Sequence, residues 1–322
     1  MELRQNNRMK LSVRIITYNH ERFLAQALES ILDQRVNFDY EIVVGEDCST
    51  DGTRKILMDF YRRFPDRIVP LLRNHNLGGA RNFCDTLASC QGQYVAMLDG
   101  DDYWTSEDKL QQQVDFLDQH PDYALCCHRA QLLDETDAGR AGVWPPLAAG
   151  SYSIKELLRE NFVLPAATVY RRDSAGALPS WLGTMEHADW GLFALIANHG
   201  KVFLMDEVMA VYRLHSGAAW SARPGLDQRR ESIRMLMALD RHLDFQYTDT
   251  IRRNIAEYFL DMARATLQNR EAVKTGHHLL NCLRFGGWRV PGSRRMLAAL
   301  AAYTLIGSRY KVFSRAKQAS RG

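Results

Sequence analysis

Cysteine is scarce and unpaired in this sequence. Cys48, Cys84, Cys90, Cys126, Cys127 and Cys282 are the only six in 322 residues, and none forms a Cys-x-x-Cys spacing. That pattern excludes a disulfide-stapled module, offers no thiolate cage for a metal and points to a reducing compartment. The adjacent Cys126-Cys127 pair reads as buried strand thiols. The chain starts with the polar stretch Met1 to Lys10 in place of a basic, then apolar, leader. No run reaches the roughly 20 apolar residues that a bilayer needs. These absences predict a cytoplasmic protein, and no internal repeat suggests a solenoid.

Acidic residues are missing from one place only. Arg284 to Gly322 holds nine Lys or Arg and no Asp or Glu, so the preceding part has 32 basic against 38 acidic residues, a net of −6. An acidic body disfavours nucleic acid as a partner, because phosphate backbones require a basic face across the domain. Within the tail, Met296 to Ser308 is thirteen uncharged residues flanked by arginines and lysines. It reads either as a segment lying on an anionic membrane surface or as a helix packed on its own domain. At 46% hydrophobic and 25% charged, the whole is a globular chain of one large domain or two smaller ones.

Short apolar runs alternate with helix-period segments over the first hundred residues, the pattern of βαβ units in an α/β fold. Strands are predicted at Leu11 to Ile16, Glu41 to Gly45, Ile68 to Leu72 and Tyr94 to Leu98. Leu24, Leu28 and Ile31, then Ile56, Phe60 and Phe64, then Leu110, Val114 and Leu117 mark helix faces. A further strand is expected at Tyr123 to Cys127, a loop at Gly139 to Gly150, and helices near Ile154 to Glu160 and Trp190 to Asn198. Val202 to Met205 is strand-like, with a turn at Asp206-Glu207. After Pro224 the pattern is helical.

Asp99-Gly100-Asp101-Asp102 directly follows the Tyr94 to Leu98 strand. Three carboxylates there repel one another unless a cation or a donor-rich ligand neutralises them, and a divalent metal holding a phosphate answers that need. In a parallel α/β sheet, ligands gather at the carboxyl ends of strands. Four polar loops share that edge: Thr17 to His20, Glu46 to Thr53, Asn74 to Asn82, and the Asp99 cluster.

Thr17-Tyr18-Asn19, Val43 to Thr53 (VVGEDCSTDGT), Asn76 to Asn82 (NLGGARN) and Leu98 to Asp102 (LDGDD), in that order, resemble the nucleotide-sugar half of a family 2 glycosyltransferase with the GT-A fold. The resemblance implies a mostly parallel sheet flanked by helices, with a donor half at about 10–130, an acceptor half at about 131–223 and a helical region at 224–322. It implies that Asp47 meets N3–H of a pyrimidine base, that Tyr18 and the Ile16 backbone line the base pocket, and that Arg81 approaches base or diphosphate. Asp99 and Gly100 would contact ribose or sugar, and Asp101 would coordinate Mn²⁺ or Mg²⁺ bridging the phosphates. Plainer roles remain open: Ser49 or Asp51 as helix cap, Asp47 as a solvated loop carboxylate, Asp102 as a cap or loop orienter, and Asn76 to Asn82 as a helix start.

A second constellation spans Glu186 to Ser221. The family places an Asp at the start of the helix that opens here, which implies Asp189 as the general base, with Glu186 as substitute and Trp190 facing substrate. The alternative for both carboxylates is an interaction with the helix dipole. His215 resembles the family histidine at metal or diphosphate, with Arg213 as a phosphate partner. Ser216 and Trp220 suit a loop closing over the donor, and Trp220 equally suits a core or acceptor-pocket aromatic.

The reading is an inverting transferase, moving sugar from a nucleoside diphosphate donor, uridine-linked by resemblance, to a glycan or lipid-linked glycan of the bacterial envelope. A sugar-phosphate nucleotidyltransferase would use a similar sheet, but a glycine-rich, basic phosphate loop is missing after the first strand. A non-catalytic nucleotide-sugar scaffold is the remaining alternative. Donor sugar, acceptor and oligomeric state are not encoded in any recognisable pattern.

Overall fold

The computed structural model describes residues 9–136, 142–217, 223–269, 271–292 and 298. Two compact units divide the chain, Met1–Arg223 and Pro224–Gly322.

In the first unit, β1 (Leu11–Thr17), β2 (Tyr40–Glu46), β3 (Ile68–Leu72) and β4 (Tyr94–Asp99) alternate with α1 (Leu24–Leu32), α2 (Thr53–Arg63) and α3 (Gly79–Ala88). After β4 come β5 (Tyr103–Trp104), α4 (Lys109–Gln119), β6 (Tyr123–Asp134), β7 (Gly142–Trp144), β8 (Gly150–Tyr152), α5 (Ile154–Arg159), β9 (Thr168–Arg171), α6 (Ala188–Ala197) and β10 (Lys201–Leu214). The main sheet runs β3-β2-β1-β4-β9-β6-β10-β5. β1 to β4 are mutually parallel, and β9 is antiparallel to both β4 and β6. Every residue of β2 is buried, and β1 is buried except for the half-buried Ile16, as expected for strands covered on both faces. α1 covers them with Leu24, Ala27, Leu28 and Ile31, the face read from the sequence.

The strand order reverses between β1 and β4, because the chain travels outward to β3 and then returns to the other side of β1. That reversal opens a crevice at the carboxyl ends of β1 and β4. α3 is drawn close to the end of β2 by Gly45, where a Cβ would lie 2.0 Å from Thr86 Oγ1. The space lets Asn82 Nδ2 donate to Gly45 O at 2.8 Å, fixing the start of α3 beside the crevice.

Two expectations are corrected. Part of the segment predicted as a loop at Gly139 to Gly150 forms β7 and the first residue of β8, which pair antiparallel with β6 and β10. Residues 137–141, which overlap that segment, lie outside the described residues. Asp206-Glu207 is no chain-reversing turn but a bulge inside the continuous β10. There Leu204 faces Cys127 and Val208 faces Arg129, so the intervening residues are squeezed toward solvent. Continuity matters, since it carries Tyr212, Arg213 and His215 to the crevice.

The second unit comprises α7 (Gly225–His242), α8 (Thr248–Gln268) and α9 (Ala272–Arg284). Ala256, Leu260 and Ala263 of α8 pack with Leu279 and Cys282 of α9 and with Val290. No helix among the described residues is long and apolar enough to cross a membrane. Most of the basic tail, including all but one residue of Met296 to Ser308, lies outside the described residues, as does Trp220.

Candidate active site

The site begins where β4 ends. Gly100 N–H donates to Ile16 O at 2.9 Å, carrying the β1–β4 pairing one residue past Asp99. A Cβ at Gly100 would stand 2.7 Å from Thr17 Oγ1 and 3.0 Å from His20 Nδ1, so only glycine lets the two loops approach this closely. The chain then turns, with Asp102 N–H donating to Asp99 O at 3.1 Å, and places three carboxylates within one tight bend.

Fixed cations surround the bend. Arg14, fully buried in β1, donates from Nη1 to Asp99 Oδ1 at 2.7 Å. From β10, Arg213 N–H donates to Asp102 Oδ1 at 2.8 Å. Its guanidinium donates to Asp101 O and Gln26 Oε1 and stacks over Tyr103 and Phe23. Arg213 is thus a buried clamp joining β10, α1 and the carboxylate turn. This corrects the expected role of a free phosphate partner, since its donors are turned inward. His215 Nε2 lies 3.1 Å and His20 Nε2 3.7 Å from Asp101 Oδ2.

These neighbours separate the three carboxylates electrostatically. Burial tends to raise Asp101, but His20 and His215 outweigh it and hold the carboxyl below its ordinary value. Burial lifts Asp99 despite the opposing charge of Arg14, with Asp101 adding to the rise. Asp102 is lifted well above its ordinary value by burial, then by repulsion from Asp101 and Asp99, and its Oδ2 has no hydrogen-bond partner among the described residues. Asp102 is therefore the turn's internal anchor, and Asp101 the carboxylate kept ionised.

At the end of β2, the buried Asp47 accepts Leu77 N–H on Oδ1 at 2.7 Å and Gly78 N–H on Oδ2 at 3.0 Å. It is no solvated loop carboxylate: it ties the loop before α3 to β2, and each oxygen keeps a lone pair for a ligand donor. Asp51 accepts Thr53 N–H and Glu21 N–H, tying the start of α2 to the loop after β1. Tyr18 is exposed and Ile16 half-buried at the same edge. Arg81 is exposed in the first turn of α3.

Asp189 occupies the first turn of α6. Burial pushes its carboxyl up to about 6; Trp190 N–H opposes the rise, Asp99 adds to it and Arg14 opposes it. Tyr212 reports the convergence of both constellations. Its hydroxyl is lifted by burial and then by Asp102, Asp101, Asp99 and Asp189 together. Glu186 instead faces solvent in an ion pair with Arg223 at 2.7 Å. Trp190 is a correction: it is 0% exposed and its Nε1–H donates to Leu157 O at 3.0 Å, so it belongs to the core and not to a substrate surface.

Sequence reasoning passed over His20, Arg14, Gln26 and Tyr212 as site residues. Arg14 carried a signal, being the one charge in the apolar strand LSVRIIT. His20 directly follows the Thr17 to Asn19 motif, whereas Gln26 and Tyr212 are marked by nothing local.

No group of three His, Cys, Asp or Glu side chains among the described residues is arranged to hold a metal ion. Asp101 and His215 supply two donors. They fit Mn²⁺ or Mg²⁺ if diphosphate oxygens and water complete the shell, as hard cations bound with nucleotides require.

Residues 12–178 match the model of the glycosyl transferase family 2, and the chain belongs to that family. An uncharacterised protein of Mycobacterium tuberculosis is 36% identical over 212 residues, 65% of this chain and 60% of its own length. The chain thus spans less than two thirds of that relative. The putative teichuronic acid biosynthesis glycosyltransferase TuaG of Bacillus subtilis is 28% identical over 63% of this chain and 79% of its own. Among solved structures, S. aureus TarS 1-349 in complex with UDP aligns with a TM-score of 0.60 at 20% identity, covering 92% of this chain and 88% of that one. The mannosyltransferase PcManGT from Pyrobaculum calidifontis, in complex with GDP-Man and Mn²⁺, aligns at 0.54 and 17% identity, covering 93% and 87%. The fold is GT-A, as the sequence resemblance implied.

Folding raises the proton affinity of Asp102. Its stabilising contribution is therefore whole below the ordinary carboxylate range and is lost as pH rises through the folded value. Asp102→Asn removes that buried charge and keeps an acceptor for Arg213 N–H. Thermal unfolding of the metal-free protein should show the variant gaining on wild type as pH goes from about 4 to about 8, at about 2–4 °C per kcal/mol. An unchanged difference in midpoint across that range contradicts the assignment.

Proposed function

We propose that this chain is an inverting glycosyltransferase that moves a sugar from a uridine diphosphate donor to an acceptor hydroxyl of a glycan or lipid-linked glycan in bacterial envelope assembly. The observation that carries this reading is the tight turn that gathers Asp99, Asp101 and Asp102 at the carboxyl end of β4, with His215 Nε2 3.1 Å from Asp101 Oδ2. Family membership and similarity to the putative teichuronic acid biosynthesis glycosyltransferase TuaG support the envelope setting.

Residues 10–130 form the donor half and residues 131–223 the acceptor half. Asp47 accepts N3–H of the base, Tyr18 lines the base pocket, Arg81 approaches the base or diphosphate, and Asp99 meets ribose or sugar. Asp101 and His215 hold a divalent cation, which when bound neutralises charge on the departing nucleoside diphosphate. Asp189 takes the proton of the acceptor hydroxyl as its oxygen bonds to the anomeric carbon. The bond from that carbon to the diphosphate oxygen breaks on the opposite face, so configuration inverts. Asp189 suits the task better than Glu186, because burial brings its proton affinity toward working pH while Glu186 is held in a surface ion pair. The basic tail binds an anionic membrane surface.

Asp101→Ala should abolish Mn²⁺-dependent UDP binding in calorimetry, together with slow hydrolysis of UDP-sugar without acceptor. Retained binding and turnover in that variant would sink the assignment.

Asp189→Asn should keep UDP binding and lose about 10²–10⁴-fold in transfer. The base must be ionised, so wild-type kcat/KM should fall about tenfold per pH unit below about 6, the value to which burial lifts Asp189. An acid limb unmoved by the substitution, with transfer intact, rules Asp189 out.

Removing residues 293–322, which keeps every described core residue of the helical unit, should reduce partition into anionic vesicles and leave neutral vesicles unaffected. Equal partition before and after removal contradicts the membrane role.

A further inference from the structure

We infer that Arg14 is a positioning residue of the donor site, fixing the Asp99 carboxylate through their ion pair so that its free oxygen is presented to the bound donor. The inference rests on the donor-site reading above and adds a residue which that reading does not include.

Arg14 is an unexpected residue in the middle of β1. Its strand neighbours are apolar or small, and it is 0% exposed in a sheet covered on both faces. A buried guanidinium is costly unless paired, because desolvation removes its water without replacement. Here one nitrogen is paired: Nη1 donates to Asp99 Oδ1 at 2.7 Å, while Nε and Nη2 are buried without a hydrogen-bond partner among the described residues. Phe83 of α3 covers the guanidinium, its ring centroid 4.2 Å from the guanidinium carbon, which holds the plane in place by cation–π attraction.

Strand register explains why this arginine reaches that carboxylate. Arg14 lies opposite Met97 and Ile16 opposite Asp99 across the parallel β1–β4 pair. Side chains alternate faces with a period of two, so Arg14 and Asp99 share one face on a short diagonal. Arg14 acts from beneath the sheet end. Asp99 is the only one of the pair that reaches the crevice, its side chain 28% exposed against 0% for Arg14. Its Oδ2 makes no hydrogen bond among the described residues, and is the oxygen left for a ligand hydroxyl.

A fixed cation behind Asp99 does two things that a neutral side chain would not. It selects one rotamer of the carboxylate, and it offsets one of the negative charges crowded into the Asp99–Asp102 turn. The second effect limits repulsion on the neighbouring Asp101 without occupying the crevice itself. A lysine preserves the charge but not the planar grip beside Phe83.

The test is a double-substitution cycle read by calorimetric titration of UDP with Mn²⁺, and of GDP with Mn²⁺ in parallel. The proteins titrated are wild type, Arg14→Met, Arg14→Lys, Asp99→Asn and the combined R14M/D99N protein. Arg14→Met should weaken UDP binding at least tenfold, and Arg14→Lys should recover part of the loss. Because Arg14 acts through Asp99, R14M/D99N should bind no more weakly than Asp99→Asn alone. If the two losses multiply, or if Arg14→Met binds like wild type, the positioning role is overturned while the donor reading stands. If wild type binds neither UDP nor GDP, the donor reading falls and this inference with it. Should Arg14→Met fail to fold, Arg14→Lys with and without Asp99→Asn completes the same cycle. In that cycle, a loss from Arg14→Lys that persists in full when Asp99→Asn is also present overturns the inference, and a loss that vanishes there supports it.

Discussion

Everything at the crevice depends on confining three carboxylates within one tight turn at the end of β4. Like charges at such separation would force the turn open or keep it protonated. Four cationic or protonatable groups, drawn from two parts of the chain, offset part of this repulsion: Arg14 beneath Asp99, Arg213 clamping Asp102 and the backbone of Asp101, and His20 and His215 flanking Asp101. The result is a division of labour among chemically identical side chains. Asp102 is held inside, Asp99 is held at the rim, and Asp101 remains ionised between two imidazoles.

The fold supplies those groups by two routes. β1 and its following loop contribute Arg14 and His20 because the strand order reverses between β1 and β4, placing these ends side by side. β10 and the residue after it contribute Arg213 and His215 from far along the chain. They can do so because the bulge at Asp206-Glu207 absorbs a register irregularity without ending the strand. Gly100 is the point where the acidic turn meets the β1 loop, since a side chain there would collide with Thr17 and His20. A small local requirement thereby governs whether the acidic turn, the first loop and the histidines share one space.

The surroundings of Asp189 are built differently. Asp189 owes its raised proton affinity to burial at the start of α6, with Asp99 and Arg14 acting on it in opposite senses. The same cation that pairs with Asp99 therefore also acts electrostatically on the candidate base. Glu186, three residues earlier, faces outward to Arg223, and that orientation removes it from the electrostatics of the crevice.

Much of the β1–β4 half was legible in the chain because its signals are local. Apolar runs ended by polar loops marked β1 to β4 within a residue or so, and Asp47, Asp99 and Asp101 stood at the strand ends where ligands gather. Trp190 misled because a large aromatic beside a candidate base looks alike in sequence whether it faces substrate or, as here, the core. Arg213 misled because a free phosphate-binding arginine and a buried clamp are the same letter. Residue types, their order along the chain and the alternation of strand and helix follow from short-range physical chemistry, and the chain alone specified those. Which oxygens are free, which cations are spent internally and which carboxylates share a field depend on contacts across 85 to 114 residues, such as Arg14 with Asp99 and His215 with Asp101. Only the folded sheet decides these, because charge and hydrogen bonding act through space while sequence records only order.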